Sequence, residues 1–193
     1  MAVTGPNIKE IRALREQLTE ETTVTPVVRC AAIEGVVGGD TQVIAKLEFL
    51  QRTGTFKARG ALATLHSLTE AELKQGVTAV SAGNHAIAVA YAARTLGTSA
   101  KVVMVSSANP SRVDSCRAFG AEVVLAENVH EAFAVAERIQ SEEGRYFVHP
   151  FEGRAVALGT GTVGLEICEQ VDDFDALIVP IGGGGLIGGI ANA

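Results

Sequence analysis

The sequence predicts an α/β protein in which helices cover both faces of a parallel sheet. Short apolar runs such as VTAVS, KVVMV and EVVLA alternate with amphipathic stretches of roughly 10–15 residues, a succession typical of β-α-β units. A later run, DALIVPI, is apolar along its whole length, as a strand covered on both faces must be. No repeat, low-complexity tract or flexible linker interrupts the alternation.

The first third of the chain contains three predicted helices and one strand. Apolar residues recur at helical spacing after Asn7, a good N-cap residue, so the first helix begins there. TQVIAKLEFL, residues 41–50, alternates apolar and polar side chains and predicts a strand. A helix over about residues 57–65 follows. Thr69 and Glu72 then have the spacing of a capping box, which predicts the start of another helix.

The remaining elements follow in regular alternation. The predicted strands are VTAVS, KVVMV, EVVLA, RYFVH and DALIVPI, and the predicted helices are NHAIAVAYAARTLG, PSRVDSCRAFG, HEAFAVAERIQSEEG and TGTVGLEICEQV. Pro110 is well placed to open its helix, and Gly97 and Gly120 are well placed to close theirs. GVVGGD, residues 35–40, is predicted to be only a turn.

Composition and charge exclude several classes of protein. Hydrophobic residues make up 47% of the chain and charged residues 20%, a globular composition. The net charge of −6 argues against a nucleic-acid partner, since phosphate backbones attract clustered Lys and Arg. We find neither a charged-then-apolar leader nor an uninterrupted apolar run of about 20 residues, so we expect a cytoplasmic protein without a membrane partner. No cysteine spacing indicates a metal site.

SAGNHA, residues 81–86, follows the strand VTAVS directly and opens the next helix. Ligands of parallel α/β sheets bind at the carboxyl ends of strands, and the amides of a helix N-terminus favour an anion such as a carboxylate. A simpler interpretation is that Asn84 only caps the helix.

VPIGGGGLIGG, residues 179–189, is the second glycine-containing loop after a strand. Its consecutive amides can form a nest for a phosphate. Gly183, Gly185 and Gly188 also match the G-x-G-x-x-G pattern of dinucleotide-binding proteins, which leaves that class open. A structural explanation, in which the glycines permit close helix–strand packing, is open as well.

Lys57 lies among small residues in QRTGTFKARGA, residues 51–61. This segment alone does not separate a reactive lysine from an ordinary surface lysine. Together, however, a lysine in a tight setting, an Asn loop suited to a carboxylate and a phosphate nest describe a site for pyridoxal 5'-phosphate. Lysine forms a Schiff base with this cofactor, and desolvation would lower the lysine pKa so that the free amine can attack.

Four segments carry a family resemblance: KLEFLQRTGTFKARGA, SAGNHA, HPFEG with GTGTVGLEI, and VPIGGGGLIGG. Together they resemble, in order, the threonine dehydratase and serine racemase group of fold-type II pyridoxal-phosphate enzymes, over about residues 46–189. The resemblance implies a tryptophan synthase β-like fold of two domains, with parallel sheets in three layers. It implies a small domain at 53–149, inserted in a large cofactor-binding domain at 1–52 and 150–193 that is incomplete.

The resemblance also implies roles for individual residues. Lys57 would hold the cofactor, with Thr55 and Phe56 beside the ring, and would then act as the catalytic base. Asn84 would hydrogen-bond the phenolic oxygen of the cofactor. The phosphate would be bound by Gly182, Gly183, Gly184, Gly185 and Leu186. The substrate carboxylate would be received by the loop of Ser81, Ala82, Gly83, Asn84 and His85. His66, His130 and His149 are interpreted as structural or surface residues.

The implied reaction is β-elimination from a 3-hydroxy amino acid such as L-threonine or L-serine, giving a 2-oxo acid and ammonia. The racemase branch of the family typically has a serine at the position of Ala82, and alanine cannot move a proton, so the sequence favours a dehydratase. An amino acid racemase, a β-replacement enzyme, an inactive interaction module and a dinucleotide-binding protein are the alternatives.

Family members continue well past the glycine loop. We therefore expect that this chain is a fragment or a truncated product, or that a separate C-terminal fragment completes it, which leaves the activity of the chain alone open. The resemblance suggests a homodimer and gives no metal ligand among these residues.

Overall fold

A computed structural model describes residues 5–193. The strands are β1 (Val27–Arg29), β2 (Ile44–Lys46), β3 (Val77–Val80), β4 (Ala100–Val105), β5 (Glu122–Ala126) and β6 (Tyr146–Phe147). The α-helices are α1 (Ile8–Gln17), α2 (Ala31–Val37), α3 (Lys57–His66), α4 (Glu70–Gln75), α5 (Asn84–Thr95), α6 (Pro110–Ala118), α7 (Val129–Glu143), α8 (Arg154–Gln170) and α9 (Gly185–Asn192).

The central element is a parallel four-stranded sheet in the order β5-β4-β3-β6. Val77 pairs with Ala100 on one side of β3, and Lys101 pairs with Glu122 between β4 and β5. Strands β1 and β2 form a separate antiparallel pair. Parallel neighbours require crossover connections, and α5, α6 and α7 lie between the successive strands of the four-stranded sheet.

Helices cover both faces of this sheet. Successive side chains of a strand point to opposite sides, so each face carries apolar side chains that need a cover. Val102 and Met104 belong to a buried cluster that also contains residues of α3, α5 and α6. Val103 points the other way, into a cluster formed with α7. The result is three layers, helix, sheet and helix, which confirms the α/β fold predicted from the alternation of elements.

The predicted N-cap at Asn7 and the predicted capping box of Thr69 and Glu72 are both present, and Asn7 forms a capping box as well. The side chain of Asn7 accepts hydrogen bonds from Lys9 N and Glu10 N, and the Glu10 carboxylate accepts from Asn7 N at 2.8 Å. Thr69 accepts from Glu72 N, and the Glu72 carboxylate accepts from Thr69 N, also at 2.8 Å. Each box provides partners for backbone groups that the first turn of a helix leaves unpaired.

Glycines let helix α8 approach α3 and α9 closely. A Cβ at Gly159 of α8 would overlap the backbone carbonyl of Arg59 in α3. A Cβ at Gly189 of α9 would overlap the hydroxyl of Thr160 in α8. The glycines of GTGTVGLEI therefore fix the position of α3, which carries Lys57 at its first turn, and of α9, which follows the glycine loop.

A buried ion network holds α3 against the rest of the molecule. The Arg59 side chain is fully buried, and its guanidinium donates to both oxygens of Glu48, each at 2.9 Å. It also donates to both oxygens of Glu166 in α8, at 2.6 and 3.0 Å. Lys46 pairs with Glu166 as well, so two cations and two carboxylates compensate one another.

Two predicted strands differ from the structure. Within residues 41–50 only Ile44–Lys46 is a strand, and Glu48–Leu50 forms a 3₁₀ helix from which Glu48 reaches Arg59. DALIVPI does not form a strand, so the prediction for this segment was wrong. Its apolar sequence suits a covered strand, but a strand also needs a hydrogen-bonded neighbour, and no segment of the described chain provides one.

One helix was missed in the sequence. Gly35, Val36 and Val37, interpreted as part of a turn, belong to α2, whereas Gly38 and Gly39 have the positive φ angles of a turn. Helix α2 has no side-chain N-cap and no buried residue, so neither of the usual signals marked it. Residues 1–4, included in the predicted large domain, lie outside the described residues. In residues 5–193 we find no helix with the length and apolar character needed to span a membrane.

Candidate active site

A cavity of about 240 Å³ lies where α3, α5 and α8 meet the loop before α8 and the glycine loop. This volume lies below the range of about 300–1,000 Å³ that is typical of small-molecule sites. The cavity is lined by Phe56, Lys57, Gly60, Ala61, His85, His149, Pro150, Phe151, Val156, Thr160, Pro180, Gly182, Gly183, Gly184, Gly185 and Leu186. The structure therefore brings Lys57 together with the glycine loop, across more than 120 residues of sequence.

Lys57 is the first residue of α3, and its side chain is half-buried in the cavity wall. Its Nζ donates a hydrogen bond to the carbonyl oxygen of Pro150 and lies 5.3 Å from the centroid of the Phe56 ring. Burial lowers the pKa of the Lys57 amine, because removal of water disfavours its charged form. A lysine with a lowered pKa in a cavity is suited to nucleophilic and base chemistry.

The glycine loop Gly182–Gly185 presents two different kinds of glycine. A Cβ at Gly182 or Gly184 would meet open space, and Gly184 has a φ of 86°, which favours glycine. A Cβ at Gly183 would overlap the Phe151 ring, and one at Gly185 would lie 2.5 Å from the Phe151 carbonyl oxygen. Close packing thus explains Gly183 and Gly185, and the other two leave the loop backbone accessible from the cavity.

His149, Pro150 and Phe151 line the cavity, although sequence reasoning gave them no role in the site. His149 Nδ1 accepts from Glu152 N at 2.9 Å, and the His149 ring packs edge-on against Phe151 at 4.7 Å between centroids. The segment comes shortly after β6, at the carboxyl end of the sheet where ligands bind. That position directly after a strand is the sequence signal that could have identified these residues.

His85, the second residue of α5, is only 5% exposed. Its Nε2 lies 2.9 Å from the carbonyl oxygen of Val148. Burial is the main reason that the pKa of the His85 imidazole is lowered to about 4; the hydrogen bond to Val148 opposes this shift, and the nearby Lys57 and His149 add to it. His85 is therefore neutral at pH 7.

The rest of the predicted carboxylate loop lies outside the cavity wall. Asn84 is exposed and begins α5, but Gly83 is the N-cap residue and no side chain caps this helix. The simpler interpretation of Asn84 as a cap is therefore wrong. Ser81 Oγ accepts from Gly83 N at 3.2 Å, and the guanidinium of Arg112 lies against Gly83. The structure thus joins His85 to Lys57 but leaves Ser81–Asn84 beside the cavity.

Comparisons with known proteins identify relatives of this chain. The sequence profile of the family described as "Pyridoxal-phosphate dependent enzyme" matches residues 18–193. The chain is 54% identical to a phenylserine dehydratase of Ralstonia pickettii over 190 residues, which cover 98% of this chain and 58% of that protein. It is 42% identical to an L-threonine ammonia-lyase of Thermotoga maritima over 192 residues, 99% of this chain and 47% of that protein.

The fold has solved counterparts as well. The structure of maize serine racemase superposes with a TM-score of 0.92 at 35% identity, covering 98% of this chain and 57% of that one. This chain thus spans about half the length of the relatives it matches.

Proposed function

This chain belongs to the pyridoxal-phosphate dependent enzymes, and on that premise we propose that the complete protein is a dehydratase of 3-hydroxy amino acids. The observation that carries the proposal is the amine of Lys57, held in a cavity that the glycine loop also lines. The proposed reaction converts an amino acid such as L-threonine or L-serine to a 2-oxo acid and ammonia. The relatives named above, a phenylserine dehydratase and an L-threonine ammonia-lyase, support this reaction class.

The residues of the cavity fit pyridoxal phosphate. The cofactor requires a primary amine, a flat apolar wall and a phosphate site. Lys57 supplies the amine, Phe56 and Phe151 supply aromatic surfaces, and the open glycines Gly182 and Gly184 leave backbone amides accessible at the start of α9. In our proposal Gly182–Gly185 and Leu186 hold the phosphate.

Lys57 performs two tasks in this proposal. When bound, the cofactor supplies a carbonyl for an amine and an electron sink for the charge that develops at the substrate Cα. The Pro150 carbonyl orients Nζ of Lys57, and the lowered pKa of this amine increases its neutral fraction. The neutral Nζ then takes the proton from the substrate Cα, from a position fixed by the first turn of α3.

We further propose that the loop of Ser81, Ala82, Gly83, Asn84 and His85 binds the carboxylate of the substrate and that Asn84 contacts the phenolic oxygen of the cofactor. The amides at the beginning of α5 favour an anion, and the guanidinium of Arg112 adds positive charge beside Gly83. This placement requires the loop to form the entrance of the cavity, since Asn84 lies next to the cavity residue His85.

Dehydration is favoured over racemisation by the side chain of Ala82. Racemisation needs a proton donor on the face of the cofactor opposite Lys57. Ala82, at the position where the racemase branch has serine, has no such group. In the complete protein, Ala82→Ser should therefore add detectable racemisation of L-serine, measured by chiral chromatography. Strong racemisation by the unmodified protein would contradict this use of Ala82.

One side of the proposed site has no cover in residues 5–193. Ile178 is 94% exposed and Ile181 67% exposed, immediately before the glycine loop. We propose that polypeptide corresponding to the rest of the relatives' length packs here, either fused to this chain or as a separate fragment, and that the assembled protein is a cytoplasmic homodimer. Adding that polypeptide should strengthen binding of pyridoxal phosphate. Equal affinity with and without it would contradict this part of the proposal.

The dehydratase proposal is tested by Lys57→Ala in the complete protein. We expect the variant to lose formation of 2-oxo acid from L-threonine and L-serine, because alanine offers neither an amine nor a base. Lys74→Ala is the matched control, since Lys74 is exposed on α4 and should be dispensable. Undiminished turnover by Lys57→Ala would refute the proposal.

A further inference from the structure

The imidazole of His85 has one nitrogen engaged and one free. Nε2 lies 2.9 Å from the carbonyl oxygen of Val148, and a carbonyl can only accept, so Nε2 carries the hydrogen. The ring is neutral at pH 7, because burial and the nearby Lys57 and His149 hold the pKa of this imidazole near 4. Nδ1 therefore has no hydrogen and presents a lone pair as a hydrogen-bond acceptor.

The residue that carries this acceptor lies in the cavity wall. Nδ1 of His85 makes no hydrogen bond with any group of residues 5–193. Thr78 Oγ1 is the one fully buried side-chain nitrogen or oxygen in that part of the chain without a partner. Nδ1 is thus not fully buried, and the residue that carries it lines the cavity. A nearly buried imidazole in a cavity wall, with an unused acceptor, is suited to a ligand that donates a hydrogen bond.

A second hydrogen-bond acceptor near Lys57, the carbonyl of Pro150, already has a donor. The carbonyl oxygen of Pro150 accepts from Nζ of Lys57. An amino acid substrate brings another amine into the same cavity, and that amine also needs an acceptor. Nδ1 of His85 is free to serve, whereas the other imidazole in the wall, His149, uses its Nδ1 for the backbone N–H of Glu152.

We propose that Nδ1 of His85 accepts a hydrogen bond from the α-amine of the amino acid substrate and so selects ligands that carry an amine. The proposal rests on the dehydratase function proposed above and assigns the side chain of His85 a role distinct from the carboxylate contact of its loop. His85 positions the incoming amine beside Lys57. His85 does not transfer a proton, because the low pKa of its imidazole makes Nδ1 a weak base.

Two amide substitutions separate this role from a structural one. The amide of His85→Asn can place its oxygen near the position of Nδ1, which preserves the acceptor but not the bond to Val148. The amide of His85→Gln reaches the position of Nε2, which preserves the bond to Val148 but not the acceptor. A substrate-binding role predicts that the Asn variant retains amine selectivity and the Gln variant loses it. A structural role predicts the reverse.

Binding is measured with a matched pair of ligands, L-serine and 3-hydroxypropanoate, which differ in the α-amine. With the cofactor-loaded protein we expect His85→Gln to weaken L-serine binding about tenfold or more, the loss typical of one hydrogen bond to a charged group. Binding of 3-hydroxypropanoate should change less than threefold in either variant. Equal losses for both ligands, or a larger loss in the Asn variant, would overturn the proposal.

Nitrogen-15 NMR of histidine-labelled protein provides a readout that needs no variant and no turnover. We expect the Nε2–H tautomer of His85 at pH 7, and a shift of Nδ1 towards a hydrogen-bonded acceptor on addition of L-serine but not of 3-hydroxypropanoate. A hydrogen on Nδ1, or no response to L-serine, would overturn the proposal. Attachment of pyridoxal phosphate to Lys57, measured separately by mass, shows whether the proposed function itself has failed.

Discussion

The four-stranded sheet and the segment DALIVPI, residues 175–181, both have apolar sequences but very different surroundings. Val77, Val102 and Met104 of the sheet are fully buried between helices. In the segment, Ile178 is 94% exposed and forms no strand pairing within residues 5–193. An apolar run therefore becomes a covered strand only where neighbouring strands and helices are supplied.

The comparison extends to the two walls of the cavity. The wall with Lys57 belongs to α3, which is fixed by close packing against α8 and by the buried network of Arg59. The glycine wall follows the uncovered segment and is held through α9, where Gly189 packs on Thr160. The lysine is thus in a rigid setting, and the glycine loop is anchored mainly on one side. Substitutions that disturb the lysine wall should therefore lower the free energy of unfolding more than substitutions in the glycine wall.

The largest expected effect is on the network that fixes the lysine wall. Arg59→Ala leaves Glu48 and part of Glu166 without a cation in a buried site. We expect the free energy of unfolding to fall by about 3–5 kcal/mol, as measured by urea denaturation. Arg117→Ala is the control, because its pair with Asp114 is exposed and contributes less than about 1 kcal/mol. Similar losses for both variants would contradict a rigid lysine wall.

The second-largest expected effect is the difference in stability between truncating an apolar side chain to alanine in the sheet and in the segment DALIVPI. Met104→Ala removes a fully buried side chain of β4 and should cost about 2–5 kcal/mol of unfolding free energy. Ile178→Ala removes an exposed side chain and should change stability by no more than about 0.5 kcal/mol. A large loss of unfolding free energy for Ile178→Ala in this chain would show that the segment is covered and would contradict the difference between the two regions.

Acid should destabilise the protein through the buried imidazole of His85. Burial depresses the folded-state pKa of this imidazole from 6.5 to about 4, so between these values the unfolded state binds the additional proton. Stability should therefore fall as the pH drops from about 6.5 to 4, by up to about 3 kcal/mol. His85→Gln should remove this part of the pH dependence. Identical pH profiles for both proteins would exclude a buried neutral His85.

The smallest effect concerns the contact between Phe151 and the glycine wall. Gly183→Ala should destabilise the chain by about 1–3 kcal/mol, because the new methyl overlaps the Phe151 ring. In a Phe151→Ala background the penalty should shrink, and a double-mutant cycle measures the difference. Gly182→Ala, which meets open space, is the control. Equal penalties in both backgrounds would show that Phe151 is not the reason for glycine at this position.

The elements predicted correctly from the sequence are those defined by local interactions. The caps at Asn7 and Thr69 and the alternation of β3, β4 and β5 with their helices depend on neighbouring residues, and local patterns record them. Strand DALIVPI and helix α2 were misjudged because each depends on contacts that local pattern does not contain: a strand needs a partner, and α2 has neither a cap nor a buried face.

The site was predicted in part for the same reason. Lys57 and the glycine loop stand out by composition, and the structure brings them to one cavity. Pro150 contributes a backbone carbonyl, and Phe151 packs on Gly183. Neither contribution involves a chemically reactive side chain, so sequence motifs did not reveal them. The free nitrogen of His85 follows from its contact with Val148, a pairing between residues that are 63 positions apart.

The most direct test of the central claim is to identify the residue that carries the cofactor. The chain is incubated with pyridoxal phosphate, reduced with borohydride and digested, and the labelled peptide is sequenced by mass spectrometry. We expect the label on Lys57, whose half-buried amine has a lowered pKa and lies in the cavity that the glycine loop also lines. A label on Lys46 or Lys74 in place of Lys57, or no labelled lysine at saturating cofactor, would contradict the account.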